Sequence, residues 1–211
     1  MNTFHCSRRL SALVTLAVIA TALAFATLAV AAEFSADIAG TMHGQAVSGK
    51  FYVKGSNVRE EVSTPQQKMI MISRPDKKVA WMIYPTQKTY MEMTGKVPDA
   101  KALASQALPK GMGTSKLVGK EKVNGYLCDK YVVTSTGKGA GTLTQWISPK
   151  LGVPVKMVQT GGKQTTTIEL KNIKEGGVAN SLFAPPKGYK KTEMPGMQGM
   201  PGKAPKPAAP R

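Results

Sequence analysis

Turn signals recur at nearly even intervals through the first half of the sequence. They lie in "KGSN" near Gly55, "TPQQ" near Pro65, "RPDK" near Pro75 and "YPTQ" near Pro85. Spacing of about ten residues, with strand-like runs between the turns, is typical of an antiparallel meander. The pattern predicts strands over 34–42, 46–54, 57–64, 67–73, 78–84 and 88–93.

The second half is also mostly extended, after one interruption. "VPDAKALASQALPKG" is rich in Ala and Leu, and Asp99 can cap a short helix over 99–108 that Pro109 and Gly111 would end. Five extended segments follow: "KLVGKEKVNGY", "CDKYVVTST", "GTLTQWIS", "VPVKMVQT" and "QTTTIELKNI". The chain therefore predicts a mainly β (α+β) domain with a single short helix.

The stretch "MIMISRPDKKVAWMIYPTQKTYMEM", residues 69–93, does not alternate between apolar and polar positions. Apolar residues run without a break from Met69 to Ile72 and from Val79 to Tyr84. A sheet with one face in water shows regular alternation, so both faces of these strands must be covered.

The register decides which side chains share a face, because a shift of one residue turns every side chain over. We take Ser73 to pair with Lys78, and Tyr84 with Lys88. One face then has branched and bulky residues: Ile70, Ile72, Val79, Trp81, Ile83, Met91 and Met93. The other face has Met69, Met71, Ala80, Met82, Tyr84 and Tyr90.

The Met/Tyr face is the candidate ligand-binding surface, because methionine side chains adapt to variable partners. The predicted contact residues are Met69, Met71, Met82, Tyr84 and Tyr90. The face could be covered by the short helix or by the second set of strands, in which case methionine only fills an irregular core. It could also be covered by an apolar molecule bound inside an incompletely closed barrel.

The first 32 residues have the features of a secretory signal. Arg8 and Arg9 precede a long Ala/Leu/Val run that ends in "LAVAAEF", which predicts cleavage near Ala31 or Ala32. An uncleaved membrane anchor and a twin-arginine signal are the alternatives, and the general export route fits "SRRLSAL" better. The expected organisation is a signal over 1–32, a β domain over 33–190 and a disordered Met/Pro/Gly/Lys-rich tail over 191–211. We expect an exported protein, with the periplasm as its compartment.

The charge balance restricts the classes of partner. The chain has 29 basic and 12 acidic residues, and the excess is spread along it. Outside the cytoplasm, and without a base-stacking or helix motif, nucleic acid is not an expected partner. An anionic membrane surface or an acidic envelope polymer fits better, although a basic, solvated surface explains the same charges. Beyond Cys6 in the signal, Cys128 is the single cysteine, and we expect it to be a small buried residue.

Several C-terminal motifs resemble the LolA-like superfamily of outer-membrane lipoprotein carriers. "WISPKLGVPVKM" (146–157) is similar to a strand–turn–strand signature of these proteins, and "SLFAPPKGY" (181–189) to their closing segment. "GYLCDKY" and "ELKNIKEG" extend the likeness to an exported, uncharacterised branch, and the resemblance covers 33–190.

The resemblance implies one antiparallel sheet curled into an unclosed half-barrel, with a helical lid over an apolar cavity. In the better-known members that cavity takes up acyl chains of lipoproteins or lipids. This chain departs from them because "EFSADIAGTMHG" directly follows the signal, where the carriers have a substantial helix. No specific binding residue of the carriers can be placed on this sequence.

The sequence shows no catalytic or metal-binding motif, so we expect neither an enzyme nor a cofactor. His43 lies beside a turn in "TMHGQ", and the acidic residues are scattered, with Glu60 and Glu61 pointing to opposite faces of one strand. In the tail, Met194, Met197 and Met200 are spaced by three, and thioethers are suitable ligands for Cu(I). A copper-binding tail is therefore one alternative function, and a structural or interaction module without a ligand is another. The expected partner is a lipid or an acylated protein; the oligomeric state is not predicted.

Overall fold

The structure is a computed structural model that describes residues 32–100, 113–135, 141–161 and 165–193. Within these ranges the first half has strands β1 Glu33–Met42, β2 Gln45–Lys54, β3 Asn57–Ser63, β4 Lys68–Arg74, β5 Val79–Tyr84 and β6 Thr89–Thr94. The second half has β7 Gly113–Val123, β8 Tyr126–Ser135, β9 Thr142–Ser148, β10 Val153–Thr160, β11 Thr166–Glu175 and β12 Lys190–Lys191. Two short 3-10 turns lie at Pro75–Lys77 and Asn180–Phe183.

The twelve strands form one sheet in the order β12-β6-β5-β4-β3-β2-β1-β11-β10-β9-β8-β7. Neighbours are antiparallel, except that β12 runs parallel to β6. The two ends of the sheet, β12 and β7, are not paired with each other, so the sheet does not close into a barrel. The predicted unclosed antiparallel sheet is confirmed.

The sheet is strongly curled. Glu60 of β3 and Val153 of β10 line the same small cavity. Four strand spacings separate β3 from β10, which in a flat sheet is about 19 Å. A cavity of about 140 Å³ cannot extend that far, so the two halves of the sheet fold toward each other around a concave inner face.

Two glycines permit close backbone contacts within this curl. A Cβ atom on Gly49 would lie 1.8 Å from the carbonyl oxygen of Glu61 on β3. A Cβ atom on Gly40 would lie 1.9 Å from the carbonyl oxygen of Thr167 on β11. Glycine in a strand interior often marks a bend or a close approach of another backbone, and both positions have that role here.

The strands predicted for the first half agree with the structure to within one residue at each end. The prediction of one extended segment over "KLVGKEKVNGY" is wrong, because this segment contains the hairpin turn between β7 and β8. Val123 pairs with Tyr126 across a two-residue turn, in which Asn124 has φ 47° and Gly125 has φ 88°. Asn-Gly is the preferred pair for a turn that needs two positive φ angles.

The inner face forms the main core. It contains Phe34, Ala36 and Ile38 of β1, and they pack with apolar side chains of β2, β3 and β10. Phe34 is completely buried, and its ring centroid lies 6.0 Å from that of Phe51. Cys128 is also completely buried in this core, as predicted, and burial raises the pKa of its thiol.

The outer face of β4 and β5 has a second core, which we call the outer cluster. It contains Ile70, Ile72, Ile83, Val178 and Phe183. The last two belong to the C-terminal segment, residues 178–189, which crosses the outer face of the sheet. Both faces of these strands are thus covered, as their uninterrupted apolar runs require.

Basic side chains on the sheet hold the C-terminal segment in place. The Lys54 Nζ atom donates to the carbonyl oxygen of Val178 at 2.7 Å, and Arg59 donates to that of Leu182 at 2.9 Å. Arg59 is buried and also donates to the Glu61 carboxylate at 2.8 Å, so its charge is compensated. These bonds satisfy carbonyl groups in a segment that lacks a regular strand partner.

Three predicted features fall largely outside the described residues. They are the signal over 1–32, the short helix over 99–108, of which Asp99 and Ala100 are described, and the methionines of the tail. At the other boundary, Thr192 still donates its backbone N–H to Tyr90 at 2.8 Å, so the paired region extends beyond residue 190. Among the described residues no helix has the length and apolar character needed to cross a membrane.

Candidate ligand-binding face

Methionines meet across three neighbouring strands on the inner face. Met71 of β4 pairs with Met82 of β5, which pairs in turn with Met91 of β6. Met93 pairs with Ala80 on the same face, and Met69 lies one pleat from Met71. The methionine side chains of this group are half-buried. The predicted methionine face exists and continues into the main core.

The placement of Tyr90 on this face is wrong. Tyr90 pairs with Ile83 and packs against the outer cluster, whereas Met91 and Met93, predicted for the other face, lie on the inner one. The cause is the β5–β6 loop, which joins Tyr84 to Thr89 and therefore has four residues where three were assumed. Its last residue, Lys88, has φ 50° and donates its N–H to the Pro85 carbonyl at 3.2 Å.

The neighbouring hairpin contains the same kind of loop. Arg74 pairs with Val79, so Ser73 pairs with Ala80 and not with Lys78. The predicted register is therefore shifted by two residues. A shift of two leaves every side chain on the same face of the sheet. Met69, Met71 and Met82 therefore lie on the inner face as predicted, and so does Tyr84, whose hydroxyl donates to the Met82 sulfur at 2.9 Å.

A cavity of about 290 Å³ opens on this face. Of the five predicted contact residues, Met71 is the one that lines it. Residues 94–98 form one wall, where the Ser73 hydroxyl donates to the carbonyl oxygen of Pro98. The complete lining is Val58, Met71, Ser73, Ala80, Met93, Thr94, Lys96, Val97 and Pro98. Its floor, at Met71, Ala80 and Met93, is apolar, and Ser73, Thr94 and Lys96 are the polar residues of the lining.

A second cavity, of about 140 Å³, lies where the two halves of the sheet face each other. It is lined by Ile38, Phe51, Glu60, Val153, Pro154, Val155, Met157, Ile168 and Leu170. Glu60 is its one ionisable residue. Because Glu60 pairs with Met71 across β3 and β4, its side chain is next to the floor of the larger cavity.

The Glu60 carboxyl has neither a hydrogen bond nor an ion pair among the described residues, and burial raises its pKa. The sequence placed Glu60 and Glu61 on opposite faces of β3, and the structure confirms this. Glu61 lies with Arg59 on the outer face, which leaves Glu60 without a cation. The strand "NVREEVS" is apolar at Val58 and Val62 on either side of Glu60, and that alternation was the available signal for an inward carboxyl.

The described residues include no group of three His, Cys, Asp or Glu side chains that could hold a metal ion. His43 is exposed in the two-residue turn between β1 and β2, with φ 50°, as predicted for a solvated turn residue. Ser73, which donates to Pro98, and Gln145, which pairs with Met157, are buried polar residues of the inner face, and Glu60 lines the smaller cavity.

A protein-family model matches residues 35–152 and 142–189, and thus most of the chain. Its description is "Domain of unknown function (DUF4412)". The chain belongs to this family. No curated protein is significantly similar to this DUF4412 protein in sequence.

Solved structures are similar to the DUF4412 protein in fold. An uncharacterised conserved protein from Thermus thermophilus has a TM-score of 0.57 at 13% identity, with 79% of this chain and 93% of that chain covered. The MucA/MucB complex from Pseudomonas aeruginosa gives 0.50 at 14% identity, covering 74% of this chain and 56% of that one. A LolA superfamily protein from Nitrosomonas europaea gives 0.36 at 10% identity, covering 73% and 90%.

At these identities the comparisons concern fold alone. The architecture that the C-terminal motifs predicted is confirmed: one antiparallel sheet that is curled but not closed.

Proposed function

We propose that this DUF4412 protein is an exported, non-enzymatic binding protein whose inner face takes up an apolar or acylated molecule. The observation that carries the proposal is the cavity of about 290 Å³ above Met71, Ala80 and Met93. Small-molecule sites are typically concave and largely apolar, with few polar groups, and a volume of about 300 Å³ is at the lower end of their range.

Methionine on the floor of the cavity supports this function. Its unbranched thioether side chain changes conformation at little cost, so it can pack against chains of different shape. The rigid, branched residues of the same strands are on the outer face, where Ile72 and Ile83 are completely buried under the C-terminal segment. On β4 and β5, therefore, the outer cluster stabilises the sheet, and the methionines of the inner face can adapt to a ligand.

The surface charge is compatible with work at a membrane. The formal net charge is +17, and exposed lysines lie along the strands, as at Lys120 and Lys171, and in the turns, as at Lys77. A basic surface is attracted to anionic head groups over about one Debye length, roughly 8 Å at physiological salt. In this proposal the surface brings the protein to an envelope membrane, and the inner face holds the apolar ligand.

A protein segment is a second candidate for the occupant. The similar Pseudomonas aeruginosa structure is a complex of MucB with MucA. An acylated or apolar peptide would bind to the same inner face as a lipid. The same substitutions on that face therefore test both candidate ligands.

Replacing Met71 and Met82 together by lysine is expected to weaken binding of an alkyl-chain probe at least tenfold. Met71→Lys places an ammonium group against the apolar floor of the cavity, and Met82→Lys adds a second one across the β4–β5 pairing on the same face. A bound chain would remove such a group from water at a cost of about 1 kcal/mol or more. Binding is measured by titrating a neutral, environment-sensitive dye such as Nile red. The control is the pair Thr86→Lys and Gln87→Lys, which adds the same charge in an exposed loop.

Circular dichroism and thermal unfolding establish that each variant is folded. If the lysine pair does not fold, Met71→Gln tests the same wall with an uncharged side chain of similar length. Unchanged dye binding by a folded Met71/Met82 variant would contradict the proposed site.

A further inference from the structure

Glu60 is an acidic side chain that lies among apolar ones, in a chain with a large excess of basic residues. The chain has 29 basic and 12 acidic residues, yet the one ionisable side chain lining the smaller cavity is a carboxylate. The other eight lining residues are apolar. Glu60 is half-buried, and a carboxylate among apolar side chains loses part of its hydration.

Elsewhere the fold pairs its shielded acidic groups. Glu92 accepts a hydrogen bond from the indole of Trp81 at 2.9 Å and is paired with Lys191 at 2.6 Å. Asp129 is paired with Lys120 at 3.4 Å. Every half-buried acidic side chain in the described ranges other than Glu60 has an interaction partner, and Glu193 is exposed. Glu60 is the exception to a consistent pattern.

The neighbouring strands cannot supply the missing cation. Glu60 pairs with Phe51 on β2 and with Met71 on β4, and both are apolar. The basic residues close to it in sequence, Lys50 and Arg59, point to the outer face, where each is already paired with a carboxylate. A cation that pairs with Glu60 would therefore come from outside these strands.

We propose that the ligand of the inner face is a cationic amphiphile: an apolar chain with one amine-type cationic group that pairs with the Glu60 carboxylate. This inference rests on the proposed function and specifies the chemical class of its ligand. The apolar chain occupies the larger cavity over Met71. The cationic group lies at Glu60, directly across the β3–β4 pairing, and a charge pair shielded from water is stronger than one at the surface.

The same geometry disfavours two other classes of amphiphile. A free fatty acid would place its carboxylate beside that of Glu60, where like charges repel. A neutral alcohol would gain the apolar contacts without the charge pair. Ligands that share one chain and differ only in the head group therefore separate the contribution of Glu60 from that of the apolar surface.

The test compares dodecylamine, dodecanol and dodecanoate as competitors of Nile red on the full mature chain at neutral pH. The wild-type protein should bind dodecylamine about tenfold more tightly than dodecanol, and dodecanoate most weakly, although its overall positive charge would favour the anion. Glu60→Gln keeps the shape of the side chain and removes its charge. We expect dodecylamine affinity to fall about tenfold in this variant, and dodecanol affinity to stay within about twofold.

Glu193→Gln is the matched control, because it removes the same charge from an exposed position and should leave the ranking unchanged. Glu60→Leu is a second variant without the charge, and its apolar side chain matches the other residues that line the smaller cavity. Equal binding of all three compounds, or a preference for dodecylamine that survives Glu60→Gln, would contradict the inference and leave the proposed function intact. Failure of the wild-type chain to bind any of the three would contradict the proposed function itself.

Discussion

Replacement of Phe183 by alanine is expected to lower the free energy of unfolding by about 3–5 kcal/mol, the usual cost of truncating a fully buried phenylalanine. Phe183 is 1% exposed and packs with Ile70, Ile72 and Ile83 from outside the sheet. Its loss leaves a cavity beneath the C-terminal segment. Urea unfolding followed by circular dichroism measures the change.

Ser181→Ala is the control for this prediction, because Ser181 lies in the same 3-10 turn and is exposed. It should change the free energy of unfolding by less than about 0.5 kcal/mol. Similar stabilities of the two variants would mean that the C-terminal segment does not contribute a core to the sheet.

Replacement of Gly49 by valine is expected to cost at least about 3 kcal/mol, at the upper end of the range for overpacking. The new Cβ atom would lie 1.8 Å from the carbonyl oxygen of Glu61, and this atom belongs to the backbone of β3. Neither strand can relieve the contact by a change of rotamer, so their separation or coiling must change. Thermal unfolding and urea unfolding of the purified variant measure the loss.

Ser48→Val adds the same side chain to the next position of β2, where the residue is exposed. It should change stability by no more than about 0.5 kcal/mol, because valine is well suited to strands. Equal losses at residues 48 and 49 would show that the curl of the sheet does not depend on this close approach.

The sequence predicted strand positions well because turn residues and apolar runs are local signals. The four-residue loops Pro75–Lys78 and Pro85–Lys88 were harder, because each ends in a lysine with a positive φ angle, a conformation that is uncommon for lysine. At the first loop the error of two residues had no effect on the faces. At the second loop, an error of one residue in the register reversed the predicted faces: Tyr90 lies on the outer face, and Met91 and Met93 lie on the inner face.

The pairing partners of the acidic residues could not be predicted, because they depend on contacts between distant segments. The sequence showed that Glu60 and Glu61 point in opposite directions. It did not show that Arg59 would bond to Glu61 and the C-terminal segment. Nor did it show that residues of β10 and β11 would line a cavity together with Glu60. Those facts follow from the curl of the whole sheet. The same limit applies to the larger cavity, of which Met71 was predicted and Val58 and Met93 were not.

The most direct test of the binding function is native mass spectrometry of the mature protein, purified gently from its own cell envelope. We expect a population heavier than the bare chain, and extraction with organic solvent should release from it a compound with an apolar chain. The Met71/Met82 lysine variant, prepared in parallel, should carry little or none of it. A wild-type protein that shows only the bare mass, both as isolated and after incubation with alkyl-chain compounds, would contradict the account and identify the methionine face as ordinary core.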